Sequence, residues 1–209
     1  MKVVVYGATG NAGKEIVKDL LARGHQVTGV ARNIDSLKAI PGVTAKSDDL
    51  SNVDAIADII QGADAVVTAY QPPPSNPDAL VDVTHREIEA VKKAGNLRLL
   101  VVGGAGLLEV APGVTLIKSG HLPPQYLPIA ESHEKALGVL RASSINWTYL
   151  SPAAFFIPGE RTGKFRLGTK ELIADSKGES KISFADYAIA LVNEIEKPQQ
   201  ERSSFSVGY

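Results

Sequence analysis

A chain of 209 residues with 44% hydrophobic content can bury a substantial core, and its length favours a single domain over residues 1–209. A formal net charge of −1 offers no basic field to nucleic acid or an anionic membrane, and the absence of cysteine excludes disulfides, thiolate catalysis and cysteine-ligated zinc. Its 4 histidines show no metal-ligand spacing, no apolar run is long enough for a signal peptide or a membrane span, and the expected setting is cytoplasmic.

Residues 2–14 read K-V-V-V-Y-G-A-T-G-N-A-G-K. The valines and tyrosine suit a strand buried on both faces, and Gly7, Gly10 and Gly13 follow at even spacing before an amphipathic stretch. Strand, glycine turn and helix in that order form the dinucleotide-binding pattern. Gly7 turns the chain out of the strand, Gly10 leaves the backbone bare for a pyrophosphate, and Gly13 lets the helix lie close to the sheet. Thr9 and Asn11 are candidate capping or phosphate-contacting side chains, and Ala12 stands in the same first turn, where free amides and the helix dipole favour an anion. A Walker loop is excluded, because Ala8 and Glu15 occupy its required glycine and hydroxyl positions.

The first helix carries Ile16, Val17, Leu20 and Leu21 as its stripe and ends at Gly24, before a second strand from Gln26 to Ala31. A carboxylate at the end of that strand would bind the ribose hydroxyls of NAD, and this chain has Arg32 instead. A cation there favours the 2′-phosphate of NADP(H), with NAD(H) as the second choice, unless Arg32 is an ordinary solvated charge. A third strand covers Val43 to Ser47, and Asp48 or Ser51 is expected to cap the helix holding Val53, Ile56 and Ile60. A fourth strand over residues 65–69 runs into Tyr70 and a proline-rich loop, on the side where ligands sit in open α/β sheets.

Residues 78–95 predict a helix burying Ala79, Val83, Ile88 and Val91, and residues 97–102 a fifth strand. Gly103, Gly104 and Ala105 then leave room for a flat ring at the sheet's rim. Residues 110–128, rich in proline, are expected to form an irregular lid, followed by a helix over 129–142. His133 shares the face of Ala136, Leu137 and Leu140, so it is either a satisfied core residue or, beside the lid, the candidate catalytic ionisable group. A sixth strand covers 146–150, Ser151, Pro152, Ala153 and Ala154 leave it as a ligand-side loop, and residues 163–183 suggest a small hairpin. A last helix spans Phe184 to Glu196, started by Ser183, and residues 205–208 are expected to add an edge strand.

The G-A-T-G-N-A-G turn, Ala31-Arg32-Asn33, Asp49-Leu50, the W-T-Y-L-S-P-A segment from Trp147 and the I-S-F-A-D-Y-A segment from Ile182 together resemble the atypical short-chain dehydrogenase/reductases. The likeness spans nearly the whole chain and lies nearest the NAD(P)H-binding, NmrA-like and NADH-flavin reductase branch, which includes biliverdin reductase B. It implies a Rossmann-type α/β fold, a doubly wound parallel sheet with helices on both faces, with substrate-side insertions at about 107–128 and 155–183. It also implies that Asp49 and Leu50 flank the adenine, Ala69 and Tyr70 cover the ribose, and Gly103 to Ala105 with Ser151 to Ala154 border the nicotinamide. His133 falls where many NmrA-like members have lysine and the biliverdin reductase B type has histidine.

One departure matters. Ordinary members activate a hydroxyl with Tyr-x-x-x-Lys, whereas here Tyr126 is followed four residues later by Ala130. Alcohol dehydrogenase and epimerase chemistry lose their acid–base pair, while flavin reduction needs only stacking and a solvent proton. The expected activity is hydride transfer from NADPH to a free flavin or similar flat acceptor, with Tyr126, Phe155 and His133 around the acceptor; flavin is substrate and no metal takes part. The alternative is a non-catalytic NmrA-like NAD(P) sensor. Partners are then small molecules, without nucleic acid or membrane, and a homodimer is compatible with the sequence.

Overall fold

The computed structural model describes all 209 residues. On β1 (Lys2–Tyr6), Val3 and Val5 face one side of the sheet and Val4 and Tyr6 the other, and all four are buried. This two-residue alternation gives each face its own core. The chain continues through α1 (Asn11–Ala22), β2 (Gln26–Ala31), a single-turn α2 (Asp35–Lys38), β3 (Val43–Ser47), α3 (Val53–Ile60), β4 (Ala65–Thr68), α4 (Ala79–Lys93) and β5 (Arg98–Val102). The second half comprises β6 (Glu109–Ala111), β7 (Val114–Thr115), α5 (Leu127–Ala142), β8 (Trp147–Pro152), β9 (Phe155–Ile157), β10 (Arg166–Gly168), β11 (Lys181–Ser183), α6 (Phe184–Glu196) and β12 (Ser203–Gly208).

Eight strands form one sheet in the order β10-β12-β8-β5-β4-β1-β2-β3, parallel throughout except for β10. Ile16, Val17 and Leu20 of α1 and Tyr187, Ala188 and Leu191 of α6 close one face over Val3, Val5 and Leu100. Ile56 and Ile60 of α3, Val83, Ile88 and Val91 of α4, and Leu137 and Leu140 of α5 close the other over Val4, Val66 and Leu99. Burying each large aliphatic side chain is worth roughly 1.5–3 kcal/mol relative to exposure, so the two stripes set which helix covers which face. The result is the doubly wound Rossmann-type arrangement. The first three strands fill one half of the sheet and the chain then returns to β4 on the far side of β1, opening a crevice at the carboxyl ends of β1 and β4.

Several details differ from the sequence expectations. The segment 163–183 is not a hairpin: β10 pairs antiparallel with β12, and β11 pairs parallel with β9. Each fragment completes a ladder already offered by a distant strand. For the same reason β12 is interior, with β10 outside it. β8 runs on through Pro152, because its neighbour β12 continues pairing as far as Val207. Neither Asp48 nor Ser51 caps α3; Asn52 does, accepting from the Asp54 and Ala55 amides at 2.8 and 3.1 Å. The lid segment contains the β6–β7 pair and a single turn at Pro124–Tyr126 that leads directly into α5. No helix is long and apolar enough to cross a membrane.

Candidate functional site

The chain must reverse direction at the end of β1 to start α1, and Gly7 does so at φ +71°. A β-carbon there would stand 2.4 Å from the Ala69 carbonyl oxygen, and one on Gly13 would stand 2.1 Å from the Gly7 carbonyl oxygen. The turn, the end of β4 and the first turn of α1 are thus in backbone contact. Gly10 is the N-cap, and neither Thr9 nor Asn11 caps the helix with its side chain. The first intrahelical bond runs from the Lys14 amide to the Gly10 carbonyl at 3.0 Å and the Gly10 amide donates to the Gly7 carbonyl at 2.9 Å, which leaves the Asn11, Ala12 and Gly13 amides free for an anion.

A groove of about 530 Å³ crosses the sheet's carboxyl rim over this turn. That volume is typical of a small-molecule site. Gly7, Thr9, Gly10, Asn11 and Ala12 line its middle, with Ala69, Tyr70 and Gln71 opposite. Toward β2 and β3 it is walled by Val30, Arg32, Asp48, Asp49 and Leu50. Leu50 has φ +62°, a strained conformation for a branched side chain. It is held there by its amide donating to Asp48 Oδ2 at 3.2 Å and by Arg86 Nη1 donating to its carbonyl at 3.2 Å. Hydrogen bonds from Ser51, helped by the Arg32 charge, keep the Asp49 carboxyl below the usual carboxylate range. Near this end, behind Tyr6 and Thr68, lies the buried Glu87, whose carboxyl burial pushes up to about 7.

Toward β5 the groove is lined by Val102, Gly103, Ile129, His133, Phe156 and Phe184. His133 and Ile129 come from α5 on one side of the sheet, and Phe184 from α6 on the other. Phe156 packs edge-on against Phe184 with centroids 4.5 Å apart. His133 Nδ1 lies 2.8 Å from the hydroxyl of Tyr149, a fully buried residue of β8, and that hydroxyl accepts the Gly104 amide at 3.0 Å. Burial pushes the His133 imidazole down to about 4, so the ring is neutral at physiological pH.

Of the residues singled out in the sequence, Gly7, Thr9, Gly10, Asn11, Ala12, Arg32, Asp49, Leu50, Ala69, Tyr70, Gly103 and His133 line this one groove. Gly13 serves the packing beneath it. Gly104 backs onto the imidazole, where a β-carbon would lie 3.0 Å from His133 Cδ2, and a β-carbon on Gly103 would lie 2.2 Å from Tyr149 Cε1. The small residues there therefore make room for two protein rings. Ala105 starts the turn beyond. Ser151, Pro152 and Ala153 are buried at the end of β8 and Ala154 is exposed; none of them lines the groove. Nor do Tyr126 and Phe155, which are 54% and 63% exposed. Alternation along β9 turns Phe155 outward and Phe156 inward, against Phe184 and Tyr187. Ile129, Phe156 and Phe184 line the groove but were not singled out in the sequence, and neither was Tyr149, which stands fully buried behind His133; only the parity of β9 could have pointed to Phe156.

A profile of the NAD(P)H-binding family matches residues 7–198. The chain belongs to the NAD(P)H-binding family. It is 40% identical over 211 residues to the uncharacterised protein YwnB of Bacillus subtilis, covering 99% of this chain and 98% of that one. Among solved structures it is similar to a putative epimerase from Bacteroides thetaiotaomicron, at 39% identity and TM-score 0.93, with 100% of this chain and 96% of that one covered. It is also similar to a putative NADH-flavin reductase from Streptococcus pneumoniae, at 34% identity and TM-score 0.90, covering 100% and 99%. The residues present fit a family dinucleotide: an uncapped helix start with bare amides adjoins a turn in which the Gly10 position faces the groove.

Proposed function

We propose that this family member is an NADPH-dependent reductase whose acceptor is a free flavin or a similarly flat conjugated molecule. One observation carries the proposal: a single groove runs from Arg32 at one end, over the amide cradle in its middle, to a slot between Phe156 and Phe184 on one side and His133 and Ile129 on the other. The free amides of Asn11, Ala12 and Gly13 at the start of α1 would hold the diphosphate, Asp49, Leu50, Ala69 and Tyr70 the adenosine, and Arg32 a 2′-phosphate. Aromatic rings facing an imidazole suit a flat π-system, which stacks face to face or meets ring edges at little cost in entropy.

When bound, the reduced nicotinamide supplies hydride, and the flavin takes up that hydride and one solvent proton to become dihydroflavin. The chain's own side chains orient and exclude water. His133, neutral with its pKa near 4, is a poor proton source at neutral pH but a competent hydrogen-bond partner for an acceptor. Together with the missing Tyr-x-x-x-Lys pair, this weighs against the epimerase chemistry in the name of one relative and supports the flavin reduction in the name of the other. That relative is named for NADH, whereas Arg32 favours NADPH here.

Anaerobic mixing of the purified protein with NADPH and FMN should give multiple-turnover loss of nicotinamide absorbance. Saturable NADPH binding with no oxidation by any flavin or quinone would replace the reductase with a ligand sensor. Arg32→Ala should move the NADPH to NADH preference by about tenfold toward NADH, the value of one charge-assisted bond. An unchanged preference removes Arg32 from cofactor selection.

A further inference from the structure

Tyr149 sits on β8 with its ring fully buried and its hydroxyl between two partners, the Gly104 amide at 3.0 Å and His133 Nδ1 at 2.8 Å. The amide is an obligatory donor, so it occupies one lone pair of the phenol oxygen. If Nδ1 also donated, the phenol proton would be stranded in a buried site, at a cost of about 1–3 kcal/mol. The chain of bonds closes only when the hydroxyl donates to an unprotonated Nδ1.

We propose that Tyr149 is a positioning residue that locks His133 in the Nε2–H tautomer, so that the ring presents a fixed N–H donor to an acceptor in the groove. Nε2 makes no hydrogen bond within the protein, and His133 lines the groove. The backbone is shaped to keep this arrangement. A side chain on Gly103 would overlap the Tyr149 ring, with 2.2 Å to Cε1, and one on Gly104 would press on the imidazole at 3.0 Å. Because the ring is neutral, the donor is not lost to deprotonation near neutral pH, and its N–H can stabilise negative charge that develops on an acceptor carbonyl as hydride arrives. Only this last role rests on the reductase proposal; the tautomer does not.

The tautomer is read directly from two-bond imidazole correlations in the 15N-labelled wild-type protein without cofactor. His133 Nδ1 should resonate as a bare acceptor nitrogen and Nε2 as a protonated one; a protonated Nδ1 overturns the proposal without any variant. Tyr149→Phe should give a mixture of tautomers and lower kcat with FMN by roughly tenfold to a hundredfold, while the Kd for NADPH changes by less than about twofold. A Tyr149→Phe protein that keeps the pure Nε2–H tautomer overturns it as well. A wild type with the expected nitrogen pattern but no turnover supports the tautomer lock and defeats the reductase.

Discussion

A β-carbon on Gly13 or Gly7 would meet carbonyl oxygens, at 2.1 and 2.4 Å, and neither obstacle is a side chain that can swing aside. Gly7 also holds φ +71°, where an L side chain is strained. Gly10 differs: within 4 Å its β-carbon would meet only the Gly7 carbonyl oxygen, at 3.2 Å. Gly7→Ala and Gly13→Ala should therefore cost the fold about 2–4 kcal/mol in urea denaturation. Gly10→Ala should keep most of the stability, within about 1 kcal/mol, yet weaken NADPH binding tenfold or more in calorimetry, since its methyl occupies the approach of the diphosphate. Undiminished NADPH affinity in Gly10→Ala would remove the diphosphate from this turn.

At the scale of an element, α3 shows how a local signal resolves. Asn52 accepts two first-turn amides, so Asn52→Ala should cost about 1 kcal/mol of stability by urea denaturation, while Ser51→Ala should cost much less. Asp48 and Ser51 are the caps expected from the sequence; Asn52 is as good a cap by residue type, and only the backbone entry angle selects it. Elements with their own period were legible. The valine strand, the stripe Ile16, Val17 and Leu20, and the run from Phe184 to Glu196 bury enough apolar surface to declare themselves. The fragments Arg166–Gly168 and Lys181–Ser183 were not, because three-residue strands are specified by distant partners, β12 and β9, rather than by a local turn. The same limit applied at the groove. Glycine spacing announces a cradle, but Tyr149 reads as one more core residue of a buried strand until β8 is seen beside Gly103 and Gly104. Choosing Phe155 over Phe156 was a parity error that one residue of register produces.

Across the whole molecule, the buried Glu87 and the half-buried His133, on neighbouring helices of one face, pull the acid stability profile in opposite directions. Burial lowers His133 from its ordinary 6.5 to about 4, so below 6.5 the unfolded chain binds the extra proton and stability is lost as pH falls toward 4. Burial raises Glu87 from 4.5 to about 7, so the folded chain holds the extra proton and stability is lost as pH rises from 4.5 through 7. Each shift is worth on the order of 3 kcal/mol, an upper bound for the partly exposed His133, and the two slopes largely offset between about pH 4.5 and 6.5. Glu87→Gln keeps the shape of the protonated acid and removes its titration. The variant should match the wild type near pH 4.5 but exceed it by roughly 3 kcal/mol near pH 8, leaving the His133 slope exposed as stability that rises with pH. Urea midpoints at the two pH values decide the matter. An equal difference at both would mean that Glu87 does not change ionisation in the folded chain across that interval.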